Sequence, residues 1–89
     1  MRALNFSGRE ASLLRAIDFT CGTLGADIVL RCKMDPQDAL DIINGLLDIG
    51  YIETSPVQQA HVNRWAFSTT MFEVNPAFAH ELKKALLRR

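Results

Sequence analysis

Eighty-nine residues suffice for one small domain and leave no room for a second core, so 1–89 is read as a single unit. Hydrophobic residues at 48% and charged residues at 22% exclude a disordered chain. Ten basic residues offset ten acidic ones, so no net field draws the molecule to nucleic acid or an anionic membrane, and any such attraction must come from a local patch.

The chain opens with MRALNFSGRE, which lacks the apolar stretch of a secretory signal. No later apolar run reaches a membrane span, so a cytoplasmic protein with no membrane contact is expected. Ser7 and Glu10 have the spacing of a capping box, in which hydroxyl and carboxylate each satisfy the other residue's amide. Phe6 and Ala11 stand at the positions of a hydrophobic staple. Leu13, Leu14, Ile17 and Cys21 follow at helical spacing, which predicts a first helix over about 8–20, with Gly22 as its stop.

A short second helix is expected over about 24–33, with Ile28, Val29 and Cys32 on its buried side and Met34 entering the core at the turn. Asp35-Pro36 is a strong helix start: a capping carboxylate, proline at the first helical position, and a further acid at Asp38 near the positive end. The third helix then runs to about Ile49, where Gly50 can take the left-handed conformation that ends it. The short step between the second and third helices is helix-turn-helix geometry.

Tyr51-Ile52-Glu53-Thr54 reads as a strand that Pro56 ends. A second strand is expected within 65–74, WAFSTTMFEV, which is rich in aromatic and β-branched residues. The polar stretch 56–64 would be the loop joining them. Asn75-Pro76 repeats the cap-plus-proline start, and Phe78, Leu82 and Leu86 share one face of a closing helix. The predicted order is α-α-α-β-β-α.

This arrangement resembles the winged-helix superfamily, in particular small bacterial regulators of the MarR, ArsR and PadR type. The resemblance is carried by Ile28-Val29 through Met34-Asp35-Pro36, then Ala39, Ile42-Ile43, Leu46-Leu47 and Gly50-Tyr51-Ile52-Glu53, and it spans about residues 9–87. It implies an α+β fold, a three-helix core with a two-stranded wing and a C-terminal helix. It also implies that the exposed face of the third helix would enter a DNA major groove.

At about 100° per residue, Ala39, Leu40, Ile42, Ile43, Leu46, Leu47 and Ile49 occupy one half of that helix. Gln37, Asp38, Asp41, Asn44, Gly45 and Asp48 occupy a contiguous arc of about 120° opposite. DNA affinity comes mainly from neutralised phosphates, and this arc carries acids with no lysine or arginine. Two readings follow. Either the aspartates solvate an exposed face, or the face (Asp38, Asp41, Asn44, Gly45, Asp48) docks on the basic surface of a protein. Gly45 favours docking, because an exposed mid-helix glycine costs about 1 kcal/mol relative to alanine and lets another backbone approach.

The alternative is a bacterial transcription regulator that reads duplex DNA through Gln37 and Asn44, with Arg31, Lys33 and Arg64 on the backbone or in the minor groove. Arg64 is more readily read as a solvated loop charge, because a lone loop charge carries little specificity. Lys83, Lys84, Arg88 and Arg89 fit a helix C-terminus through its dipole. Trp65 is expected to pack in the core or hairpin, and would mark a partner anchor if exposed. Phe78, Leu82 and Leu86 either form a homodimer seam, as the resemblance implies, or cover the chain's own core.

Cys21, Cys32, His61 and His80 match no zinc spacing, and the two thiols are read as core packing in a reducing compartment. There is no Gly-rich phosphate loop and no nucleophile elbow. His80 and Glu81 are adjacent and point to different helix faces. Neither catalysis, cofactor nor metal is expected. The chain is read as a non-enzymatic regulatory or adaptor module that binds a protein, with duplex DNA as the competing partner.

Overall fold

Helix starts in this chain are dictated locally. In a computed structural model that describes residues 6–87, the Ser7 hydroxyl accepts from the Glu10 amide and the Glu10 carboxylate accepts from the Ser7 amide. This reciprocal cap opens helix α1, Gly8–Arg15. The helix is shorter than its apolar spacing predicts, because Asp18 offers the backbone a competing partner. Its carboxylate accepts the amides of Thr20 and Cys21, while the buried Thr23 hydroxyl accepts the Asp18 amide. Ala16 and Ile17 remain buried beyond the helix end, but Gly22 lies well past it and Cys21 faces solvent rather than the core.

The hydrogen bonds from Thr20 and then Cys21 hold the Asp18 carboxyl below its ordinary value. The same carboxylate pushes the Cys21 thiol up by stabilising its protonated form.

Residues Thr23–Leu24 form β1, a two-residue strand that the sequence reading omits. Helix α2 follows at Gly25–Cys32 and α3 at Pro36–Ile49. The Asp35 carboxylate caps α3 by accepting the amides of Gln37 and Asp38, and Gly50 at φ 93° closes it. Strands β2, Ile52–Ser55, and β3, Met71–Val74, pair antiparallel with Ile52 opposite Val74 and Thr54 opposite Phe72. β1 pairs with the other edge of β3, giving the strand order β1-β3-β2. Helix α4, Ala79–Leu87, closes the described chain. The architecture of the described residues is α+β: four helices and one three-stranded antiparallel sheet.

The core combines Leu13 and Leu14 of α1, Ile28 of α2, Ile43 and Leu46 of α3, Ile52 and Phe72 of the sheet, and Leu82 of α4, all fully buried. Tyr51 stacks edge-on between Phe6 and Phe78. Arg15 donates to the Leu86 carbonyl at 2.8 Å, tying the end of α4 to α1. Leu82 and Leu86 are therefore consumed by the chain's own core, and Phe78 is half-buried against Tyr51. This packing agrees with the reading of Leu82 and Leu86 as cover for the chain's own core. No helix among the described residues is long and apolar enough to cross a membrane.

Candidate functional site

The segment between β2 and β3 is longer than a simple wing. It begins in a turn built on the Thr54 hydroxyl, which donates to the Val57 carbonyl and accepts the Gln59 amide. It ends in a 3-10 turn at Phe67–Thr69, so only Met71–Val74 of the expected 65–74 range is strand. Between these points, residues 61–67 lie along α3 in the opposite direction. His61 meets Asp48 at 3.1 Å, Val62 meets Asn44, and Arg64, Trp65 and Phe67 line a groove together with Pro36, Gln37 and Leu40. Positions 36, 40, 44 and 48 form one i, i+4 stripe, and this strap follows it.

Asn44 is the central fastener. Its side-chain carbonyl accepts the Val62 amide at 2.8 Å and its side-chain amide donates to the Val62 carbonyl at 3.1 Å. Both backbone groups of Val62, whose side chain is buried, thereby find partners. Asn44 is thus committed within the chain, which corrects its assignment to an open contact face. The far end of the strap is fixed by Gly25. A Cβ at that position would stand 2.0 Å from the Phe67 carbonyl oxygen, so only glycine fits between α2 and the 3-10 turn.

The other arc residues divide by partner. Asp38 is paired with Arg9 of α1 at 2.7 Å, and Asp48 with His61. Among the described residues, Asp41 accepts only from Gln37, its neighbour one turn back, at 3.0 Å. Gly45 is exposed, with open space where a side chain would stand. Ile49, expected on the buried half, is 57% exposed, because in projection it falls at the margin of that half, next to Asp38.

The candidate basic residues are dispersed in their roles. Arg31 donates to the Ala16 carbonyl at 3.1 Å, capping the end of α1. Lys33 ends α2 in the left-handed region at φ 54°. Arg64 lies over the Trp65 ring, 5.1 Å from its centroid. Lys83 lies over the Phe19 ring, while Arg88 and Arg89 fall outside the described residues.

Trp65 overturns its expected place in the core: it is 81% exposed. The small side chain of Ala66 and the buried ring of Phe67 take the inward positions instead, and the adjacent indole is left outside. With Pro36, Gln37, Leu40, Arg64 and Phe67, it lines a groove of about 600 Å³ beside the capping carboxylate of Asp35. Sequence reasoning missed this groove. The signal it had was the juxtaposition Arg64-Trp65 in a polar loop, which local composition cannot orient.

Among the described residues no group of His, Cys, Asp and Glu is placed to hold a metal ion. Every buried side-chain nitrogen and oxygen among them has a hydrogen-bond partner, so the interior holds no orphaned polar atom aimed at a ligand. The polar chemistry with spare capacity is on the surface, along α3 and the strap. No family model, curated protein or solved structure matches this chain.

Proposed function

We propose that this chain is a small non-enzymatic adaptor or regulatory module of winged-helix type that docks on a protein through α3 and the strap lying beside it. The winged-helix reading is supported by the element order, with the helix pair α2–α3 followed by the β2–β3 hairpin and a short β1 completing the sheet.

One observation carries the docking reading: the strap is fastened along the Leu40–Asn44–Asp48 stripe of α3 by the two Asn44–Val62 hydrogen bonds. A helix entering a major groove needs its outward face free on both flanks and phosphate-binding cations around it. Here one flank is occupied by the chain itself. The remaining face presents Asp41 and Gly45, and the candidate cations Arg31 and Arg64 are turned to the Ala16 carbonyl just past α1 and to an indole. An exposed tryptophan beside a concave apolar floor is instead the composition of a protein-binding hot spot.

The test is a titration of the chain with random duplex DNA at low salt, followed by amide chemical shifts and by the fluorescence of Trp65, the single tryptophan. No saturable change is expected. Micromolar binding that weakens steeply with added salt would overturn the docking reading in favour of a DNA-binding regulator using Gln37, Arg31, Lys33 and Arg64.

A further inference from the structure

We infer that the groove between α3 and the strap is closed by a second copy of this chain, each copy seating its Trp65 in the groove of the other about a two-fold axis. This rests on the docking reading above and names the protein that docks. The groove carries both halves of such a contact. Leu40 and Phe67 are buried at its floor, while Pro36 and Trp65 stand exposed at its rim. Trp65, 81% exposed, is the largest exposed apolar side chain among the described residues. Projection and recess therefore share one patch, and a half-turn about an axis through that patch sets each against the other.

The charges of the groove select the same occupant. Its lining includes the Asp35 carboxylate at the N-cap of α3 and the Arg64 guanidinium on the strap. Among the described residues, ion pairs join Arg9 to Asp38 and His61 to Asp48, and neither Asp35 nor Arg64 enters one. Within that set Asp35 accepts only the amides of Gln37 and Asp38, and Arg64 lies over the adjacent Trp65 ring. One negative and one positive group on a single patch carry no net sign, so a segment of either charge would satisfy one and repel the other. A two-fold copy satisfies both, because symmetry lays Asp35 of each copy beside the partner's Arg64. An unrelated protein would have to carry the reciprocal pair beside an aromatic projection of its own. The balance of ten basic against ten acidic residues adds no long-range repulsion between copies.

The size of the patch sets the strength expected. A tryptophan buries about 150–250 Å², so two exchanged indoles and their rims form a small interface, below that of stable complexes. Self-association is expected at about 100 μM.

The experiment sediments the full chain at low salt from about 10 μM to about 1 mM, with the emission of Trp65, the single tryptophan, as the local probe. A monomer–dimer equilibrium is expected, with indole emission moving to shorter wavelength as the dimer forms. Trp65→Ala should weaken it about tenfold or more, and Asp35→Asn, which keeps an oxygen to cap α3, about two- to fivefold. Arg64→Glu and Asp35→Lys each set like charges together in both halves of the contact and should sediment as monomers alone. Mixed one to one, the two variants restore both pairs and should recover the dimer. Melting curves establish that each variant is folded, and Asp35→Asn carries the charge test if Asp35→Lys is not.

A strict monomer at about 1 mM, a dimer whose indole emission stays fixed, or folded charge variants that associate no better mixed than alone would overturn the inference. A strict monomer that also ignores duplex DNA leaves docking on a different protein standing. Duplex DNA binding would instead remove the docking reading itself.

Discussion

The two flanks of α3 have opposite fates, although the sequence gives them the same polar character. Along one flank, Leu40, Asn44 and Asp48 are engaged by residues 61–67 of the same chain. Along the other, Asp41 and Gly45 face solvent, and only Asp38 reaches a partner in a different element. The difference teaches that a polar stripe on a helix is not one surface. A side chain that can both donate and accept, as asparagine does, can be consumed by an intramolecular backbone, whereas a row of carboxylates has nothing to offer a carbonyl. The strapped flank is therefore structural, and the groove at its N-terminal end is where structure gives way to free surface.

That comparison can be broken most forcibly at its anchor. Gly25→Ala sets a methyl group against the Phe67 carbonyl, and α2 or the 3-10 turn must move. Overpacking of this kind costs about 3 kcal/mol, which urea unfolding would measure, and the altered strap should shift the Val62 and Trp65 resonances. Retention of wild-type stability would mean that the strap is not held by this contact.

Asn44→Ala comes next. It strands the Val62 amide and carbonyl, an expected loss of about 2 kcal/mol, with faster hydrogen exchange at the Val62 amide. Asn44→Asp keeps the acceptor for that amide and loses the donor to the carbonyl. The amide should then stay protected while part of the stability is lost. Equal exchange in both variants would show that the strap rests on the burial of Val62 alone.

On the open flank the sign reverses. Gly45→Ala meets no atom within 4 Å and should stabilise the domain by about 1 kcal/mol, seen as a raised melting temperature. Loss of stability would place an unseen neighbour against this face. The smallest effect is expected at Arg9→Ala. It removes an ion pair whose side chains are 60% and 47% exposed and should change stability by about 0.5 kcal/mol or less. A larger loss would make Asp38 part of the fold rather than of the open surface.

Much of this architecture is legible locally. The reciprocal cap of Ser7 and Glu10, the Asp35-Pro36 start and the Gly50 stop act over three or four residues, and each forms as its residue types require. The 3.6-residue period likewise places Ala39, Leu40, Ile43, Leu46 and Leu47 in the core. Where the reading departs from the structure, a distant partner intervenes. α1 stops at Arg15 rather than near residue 20 because the Asp18 turn, braced by the Thr23 hydroxyl, outcompetes helix propagation. β1 has two residues and no pattern of its own, and exists only because β3 offers an edge.

The candidate site divides in the same way. Gln37, Asp38, Asp41, Gly45 and Asp48 lie on the polar face that helical periodicity assigns them, because a helix fixes side-chain directions from its own geometry. Asn44 lies beside them in sequence projection and is spent on a residue 18 positions away. Trp65 sits in an irregular segment, where no repeat period says which side chain turns inward. Caps, helix periodicity and the polar arc of α3 are determined by the sequence itself, since the interactions that enforce them span a single turn. The strap, the groove it forms with α3 and the exposure of Trp65 are decided only by tertiary structure, since they depend on which distant backbone and which void happen to lie within hydrogen-bonding and packing reach.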